Sequence, residues 1–172
     1  MIQLGHRSYI FGEPPTNFFN VEVTVGKYTG IGSHLTILGG KGQHPSARHP
    51  QCVSNFPFEE FKLGEYYPSE GKGPIHIGND VWIGANVILM DGITIGDGAI
   101  VGAGSVVAKS VPAYAVAVGN PVEVKRYRFD ETTIQKLLKI RWWDWEEDAI
   151  QAALPDMKDI AQFVIRYEVV QQ

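Results

Sequence analysis

Between residues 77 and 107 the apolar positions recur at a fixed interval of six. Ile77, Ile83, Leu89, Ile95, Val101 and Val107 are all aliphatic. The residues behind them are Gly78, Gly84, Met90, Gly96, Gly102 and Ala108, mostly glycine. Two positions ahead of them stand Ile75, Val81, Val87, Ile93, Ala99 and Ser105. An amphipathic helix repeats about every 3.6 residues and a half-buried strand about every 2, and neither fits. A six-residue period predicts short parallel strands stacked coil upon coil, each hexapeptide sending one aliphatic side chain into a narrow core. The small residue that follows marks a corner with no room for bulk. Three hexapeptides make a triangular coil, so residues 77–112 supply about two coils. The same rhythm recurs earlier, at Val25-Gly26, Ile31-Gly32 and Ile37-Leu38.

The rhythm stops between Ile37 and Ile77, whose separation of forty is not a multiple of six. The intervening "GGKGQHP", "NFPF", "YYP" and "GKGP" are rich in glycine and proline and predict an extruded loop over residues 39–74. A loop of that length in a solenoid points to function. It carries Phe56, Phe58, Phe61, Tyr66 and Tyr67, suited to packing, and two histidines, His44 and His49. Past the repeats, "GNP" at 119–121 predicts the turn that leaves the solenoid. "DETTIQKLLKI" puts Ile134, Leu137 and Leu138 at helical spacing behind an acidic cap. "DWEEDAIQAAL" offers Asp144 and Glu147 as a capping box, Pro155 ends that helix, and "DMKDIAQFV" suggests a third. Trp142, Trp143 and Trp145 are expected to close the open end of the solenoid, whose core and strand edges would otherwise be exposed. The expected division is a β-helix domain over 1–124, including the loop, and a helical cap over 125–172.

Composition narrows the class. The chain has 172 residues, 44% hydrophobic and 20% charged, enough apolar surface for a core and against disorder. A net charge of −4 gives no support for a nucleic-acid partner. No apolar run approaches the roughly 18 residues of a membrane span. The N-terminus lacks the apolar core of a signal peptide, so export is not expected. The single cysteine, Cys52, cannot form an internal disulfide, which fits a reducing cytoplasm, the expected location.

The stretch "IHIGNDVWIGANVILMDGITIGDGAIVGAGSVVAKSVPAYAVAVGNP" resembles the hexapeptide-repeat acyltransferases. The loop ending "HPQCVSNFPF" and the later "RWWDW" resemble their xenobiotic acetyltransferase branch, which includes streptogramin and chloramphenicol acetyltransferases. The resemblance covers roughly residues 20–165. It implies a mainly β fold, a left-handed parallel β-helix, and a homotrimer with active sites at subunit interfaces. It implies transfer of an acetyl group from acetyl-CoA to a hydroxyl of a small molecule, an antibiotic or a sugar, with no metal required.

Attack of a hydroxyl on a thioester needs a general base, and histidine titrates near neutrality. Matching "SNFPF" to the family's segment places that base at His49 and leaves His44 five residues too early. The same match puts Ser54 and Phe56 in the acceptor cleft. "PQCV" stands where the family often has an acidic residue. Trp82, a bulky indole among small turn residues, corresponds to a family tryptophan in the active-site cleft. Ala85, Ala103, Ala108 and Lys109 match positions along the pantetheine arm of the coenzyme. Lys125 and Arg126 match basic residues at its nucleotide end, where Glu123 departs from the pattern. Two other functions fit the sequence. His44 and His49 form an H-x4-H pair of the kind used for zinc in γ-carbonic-anhydrase-like β-helices, which needs a third ligand from among His6, His34 and His76, and His34, only ten residues before His44, is poorly spaced for that role. A β-helix scaffold without activity is the other.

Overall fold

The computed structural model describes residues 1–39, 53, 62 and 71–168 of the chain. Strands β1 (Ile2–Leu4), β2 (Tyr9–Ile10) and β3 (Thr16–Asn17) form a first coil, and β4 (Val23–Val25), β5 (Gly30–Ile31) and β6 (Thr36–Leu38) a second. The third is β7 (Ile75–Ile77), β8 (Trp82–Ile83) and β9 (Ile88–Met90), and the fourth β10 (Thr94–Ile95), β11 (Ile100–Val101) and β12 (Val106–Val107). A fifth, incomplete coil has a parallel bridge from Val111 to Ile95 and then β13 (Ala115–Val118). Equivalent strands stack in register into three faces: β1-β4-β7-β10, β2-β5-β8-β11-β13, and β3-β6-β9-β12. All of these neighbours are parallel, so the molecule is a three-sided parallel β-helix.

The core explains the period of six and corrects one expectation. Ile77, Ile83, Leu89, Ile95, Val101 and Val107 are all buried, and so are Ile75, Val81, Val87, Ile93, Ala99 and Ser105 two positions earlier. Each hexapeptide therefore sends two side chains inward rather than one. Burying each large aliphatic chain stabilises the fold by about 1.5–3 kcal/mol. Two of the inward positions are polar and both are satisfied. Thr29 Oγ1 donates to Gly78 O at 2.9 Å. Ser105 Oγ donates to Gly102 O at 2.7 Å and accepts from Gly119 N at 3.0 Å.

The corner glycines owe their place to the neighbouring coil. A β-carbon on Gly84 would lie 2.5 Å from Ala103 N, and one on Gly32 would lie 2.6 Å from Ala85 N. Coils stack backbone on backbone there, and any side chain would push them apart.

The first coil falls within the expected β-helix domain, but its strands do not follow the sixfold rhythm. Ile2 pairs with Val23, Ile10 with Ile31 and Thr16 with Thr36, steps longer than three hexapeptides. Between the third and fourth coils the step is three hexapeptides throughout, as from Ile83 to Val101. The extra length of the first coil erases the sixfold rhythm while its strands still pair.

After β13 the chain turns at Gly119 through a cis Asn120–Pro121 bond, and β14 (Glu123–Tyr127) pairs antiparallel with β13. That return strand covers the last edge of the second face. It also runs across the expected boundary at 124/125. Helices α1 (Glu131–Ile140), α2 (Glu147–Ala153) and α3 (Ile160–Tyr167) follow. Asp130 caps α1 as expected, its side chain accepting from Thr133 N at 2.9 Å. The capping box on α2 does not form. Asp144 instead pairs with Lys27 and Arg141, at 2.9 and 2.8 Å, and Glu147 is claimed by the first coil.

The helical segment lies along the corner between the first and second faces. Glu147 accepts from Arg7 Nε at 2.8 Å in coil one, and Tyr28 of coil two meets Trp142 at 5.1 Å between ring centres. Arg128 donates to Asp80 of coil three at 3.0 Å, and Tyr114 of coil five meets Phe129 at 5.9 Å. The segment thus straps the coils together along their height. Trp143 is buried, while Trp145 packs on Phe163 and Tyr167.

Candidate active site

The second face carries a row of outward residues paired in register: Tyr9, Gly30, Trp82, Ile100, Val116 and Arg126. Strand alternation sends the neighbours of these residues into the core and leaves the row outside. Trp82 is 49% exposed and Tyr9 51%, large apolar surfaces for a single row. Both lie over Gly30. A β-carbon there would be 2.9 Å from Trp82 Cε3 and 3.0 Å from Tyr9 Oη. The glycine lets the two aromatic rings come down onto the backbone, forming a flat exposed platform.

The next corner, where the second face turns into the third, holds Ala85 and Ala103 one coil apart. Ala85 O accepts from Gly104 N at 2.9 Å, which locks the two coils at that corner. The N–H groups of Ala85 and Ala103, and the carbonyl of Ala103, make no hydrogen bond among the described residues. Ala103 is exposed and Ala85 partly so. The corner therefore presents unpaired backbone donors and an acceptor beside small side chains. An extended amide-bearing ligand needs such groups.

Ala108 and Lys109 follow β12 and sit at the far end of the third face, both exposed. They do not share the corner of Ala85 and Ala103. Lys125 binds Glu123 at 2.6 Å. That bond, with help from Lys109, holds the Glu123 carboxyl below its ordinary range. The acidic departure in the sequence is thus offset by its own lysine neighbours. Arg126 stands at the end of the Trp82 row, its guanidinium exposed apart from a long bond to Tyr127 O at 3.3 Å.

His49, Ser54 and Phe56 lie outside the described residues, as do His44 and Cys52. Among the described residues no three His, Cys, Asp or Glu side chains gather into a metal-sized group. His34 projects at the corner below Asn86, and His76, on the first face, lies 2.8 Å through Nδ1 from Thr24 Oγ1. No helix among the described residues is long and apolar enough to cross a membrane. The sequence reading missed Tyr9 and Gly30. Tyr9 belongs to the coil whose period is irregular, and the role of Gly30 follows only from the strand register.

Residues 74–109 match the family described as bacterial transferase hexapeptide (six repeats). A chloramphenicol acetyltransferase of Agrobacterium fabrum is 39% identical over 78% of this chain and 66% of its own length. A probable macrolide acetyltransferase of Lysinibacillus sphaericus is 36% identical over 77% of this chain and 75% of its own length. A virginiamycin A acetyltransferase of Staphylococcus aureus is 39% identical over 78% of this chain and 62% of its own length. The chain therefore spans just under two thirds of the length of the first and third of these relatives. Among solved structures, a hexapeptide-repeat-containing acetyltransferase from Vibrio cholerae superposes with a TM-score of 0.57 at 26% identity, covering 75% of this chain and 64% of that one. The polySia specific acetyltransferase NeuO superposes at 0.53 and 25%, covering 76% of this chain and 56% of that one. The fold is the left-handed parallel β-helix expected from the sequence.

Proposed function

The chain belongs to the hexapeptide-repeat acetyltransferases, in the branch of the chloramphenicol, macrolide and virginiamycin enzymes, and on that basis we propose that it acetylates a hydroxyl of a small molecule using acetyl-CoA. The observation that carries this reading is the corner at Ala85 and Ala103. Its unpaired backbone groups suit the two amides of a pantetheine arm, and it adjoins the exposed indole of Trp82. Ala108 and Lys109 continue the coenzyme contact along the third face, and Arg126 offers a cation to the phosphates.

In this mechanism His49 takes the proton from the acceptor hydroxyl as its oxygen attacks the thioester carbonyl. The tetrahedral adduct collapses with release of the coenzyme thiol, and no acyl-enzyme forms. Such a base typically contributes about 10²–10⁴-fold in rate. Trp82, with Ser54 and Phe56 from the loop, borders the acceptor. The antibiotic names of the relatives favour an antibiotic-type acceptor over a sugar. The outer row of the second face is partnered in a cytoplasmic homotrimer whose active sites lie between subunits.

The test is acetyl-CoA-dependent thiol release with chloramphenicol, virginiamycin-type streptogramins and simple sugars, for the wild type and His49→Ala. Acceptor-dependent turnover that falls about a hundredfold or more in the variant supports the proposal. Turnover indifferent to the substitution removes His49 as the base, and failure to bind coenzyme A removes the acetyltransferase reading. Light scattering of the purified chain checks the trimer.

A further inference from the structure

A cavity of about 390 Å³ lies where the helical segment meets the corner between the first and second faces. It stands across the second face from the Ala85–Ala103 corner. Part of its lining is apolar, with Phe129, Trp142, Met157, Ile160 and Phe163, and part is polar. The volume is within the range of small-molecule sites, at its lower end.

The polar groups of the cavity are unequal in sign. Arg128 and Lys158 face one carboxylate, Asp80. Arg128 spends only one nitrogen on the protein, Nη1 donating to Asp80 Oδ2 at 3.0 Å and to Gly98 O at 2.7 Å. Its Nε and Nη2 donors are unengaged among the described residues. The guanidinium plane is held by the rings of Tyr114 and Phe129, each 5.3 Å away. Lys158, exposed at the rim, makes no ion pair among the described residues. The site thus combines, in one lining, a guanidinium with spare donors, a second cation and several aromatic side chains. Planar N–H forks of this kind match carboxylates.

We propose that this cavity is a second ligand site, separate from the coenzyme corner, and that it takes a small aromatic monocarboxylate. The carboxylate meets Arg128 and Lys158, and the ring lies among Phe129, Trp142 and Phe163. An occupant there touches both the solenoid corner and α1 and α3, so it braces the strap against the coils.

Calorimetric titration of the full chain with 3-phenylpropionate tests this. The expected result is one acid bound per chain, with a dissociation constant on the order of 0.1 mM for a ligand of this size. The uncharged 3-phenylpropanol should bind roughly tenfold more weakly, and Lys158→Ala should lose several-fold in affinity for the acid. Met157→Trp, which fills the cavity, should not bind, and saturating coenzyme A should leave binding unchanged. Displacement by coenzyme A would assign the acid to the coenzyme corner and overturn the proposal. So would undetectable binding to the wild type, or equal affinity in the wild type and Lys158→Ala. The lysine is a surface residue, so that variant is informative even if Met157→Trp fails to fold.

Discussion

The indole of Trp82 rests on the backbone of Gly30, its register partner in the preceding coil, in the space a β-carbon of Gly30 would take. Any side chain there must lift the ring. Gly30→Ala is expected to leave the solenoid folded and to lower acceptor turnover by about 10–100-fold, since small misplacements of a site group carry that penalty. Acetylation kinetics alongside a thermal melt check it. Unchanged kinetics in a folded variant would take Trp82 out of the acceptor cleft.

Tyr114 is buried, and its hydroxyl has no hydrogen-bond partner among the described residues. Burial also pushes the phenol up, so it remains protonated across the usual range. An unpaired buried hydroxyl costs about 1–3 kcal/mol. Tyr114→Phe is therefore expected to hold or raise stability, by about 1 kcal/mol in urea unfolding. A clear loss would reveal a partner for the hydroxyl.

Glu147 ties the start of α2 to the first coil through Arg7 and His6, and these hold its carboxyl down at about 2. The folded state thus binds this proton less tightly than the unfolded state, where the carboxyl titrates near 4.5. The stabilisation is fully present above pH 4.5 and is lost as pH falls toward 2. Thermal melts of Glu147→Gln should lie below wild type at pH 7, and the gap should close between pH 4.5 and 2. A gap independent of pH would show that the carboxylate charge is not what holds the strap.

Asp80 behaves in the opposite sense. Burial raises its carboxyl, and Arg128 only partly counters that. Removing the arginine leaves the carboxylate without its cation at neutral pH. Arg128→Met should cost about 2 kcal/mol at pH 7, less than a fully buried pair because both side chains keep some water contact. The loss should shrink as pH falls and Asp80 takes up a proton. Denaturant unfolding at two pH values distinguishes this from a packing defect, which would not vary with pH.

The sequence disclosed most where the coil length is constant. Ile83, Leu89 and Val101 declare the stack because each coil there advances by three hexapeptides. Ile2 and Ile10 pack against the same core from the first coil but are hidden by its longer step to Val23 and Ile31. The second inward position of each hexapeptide is apolar at Ile75, Val81, Val87, Ile93 and Ala99, but Thr29 and Ser105 interrupt it with polar groups whose bonds run to neighbouring coils. Asp144 and Glu147 have the spacing of a capping box, yet the nearby cations Lys27 and Arg7 claim them. Local spacing cannot register partners so remote in sequence. The same limit applies to the platform over Gly30, which exists only through strand pairing.

Val25 and Ile77 pair as neighbours although they lie far apart along the chain, whereas the next coil needs only the short step from Ile77 to Ile95. The chain leaves the stack at the end of β6, the last strand of the second coil, and re-enters at β7, the first strand of the third, with the two coils in register on all three faces. In closure entropy alone, doubling the length of chain between them would cost about 0.6 kcal/mol. The register of the second and third coils is therefore written in their own strands, on either side of the break.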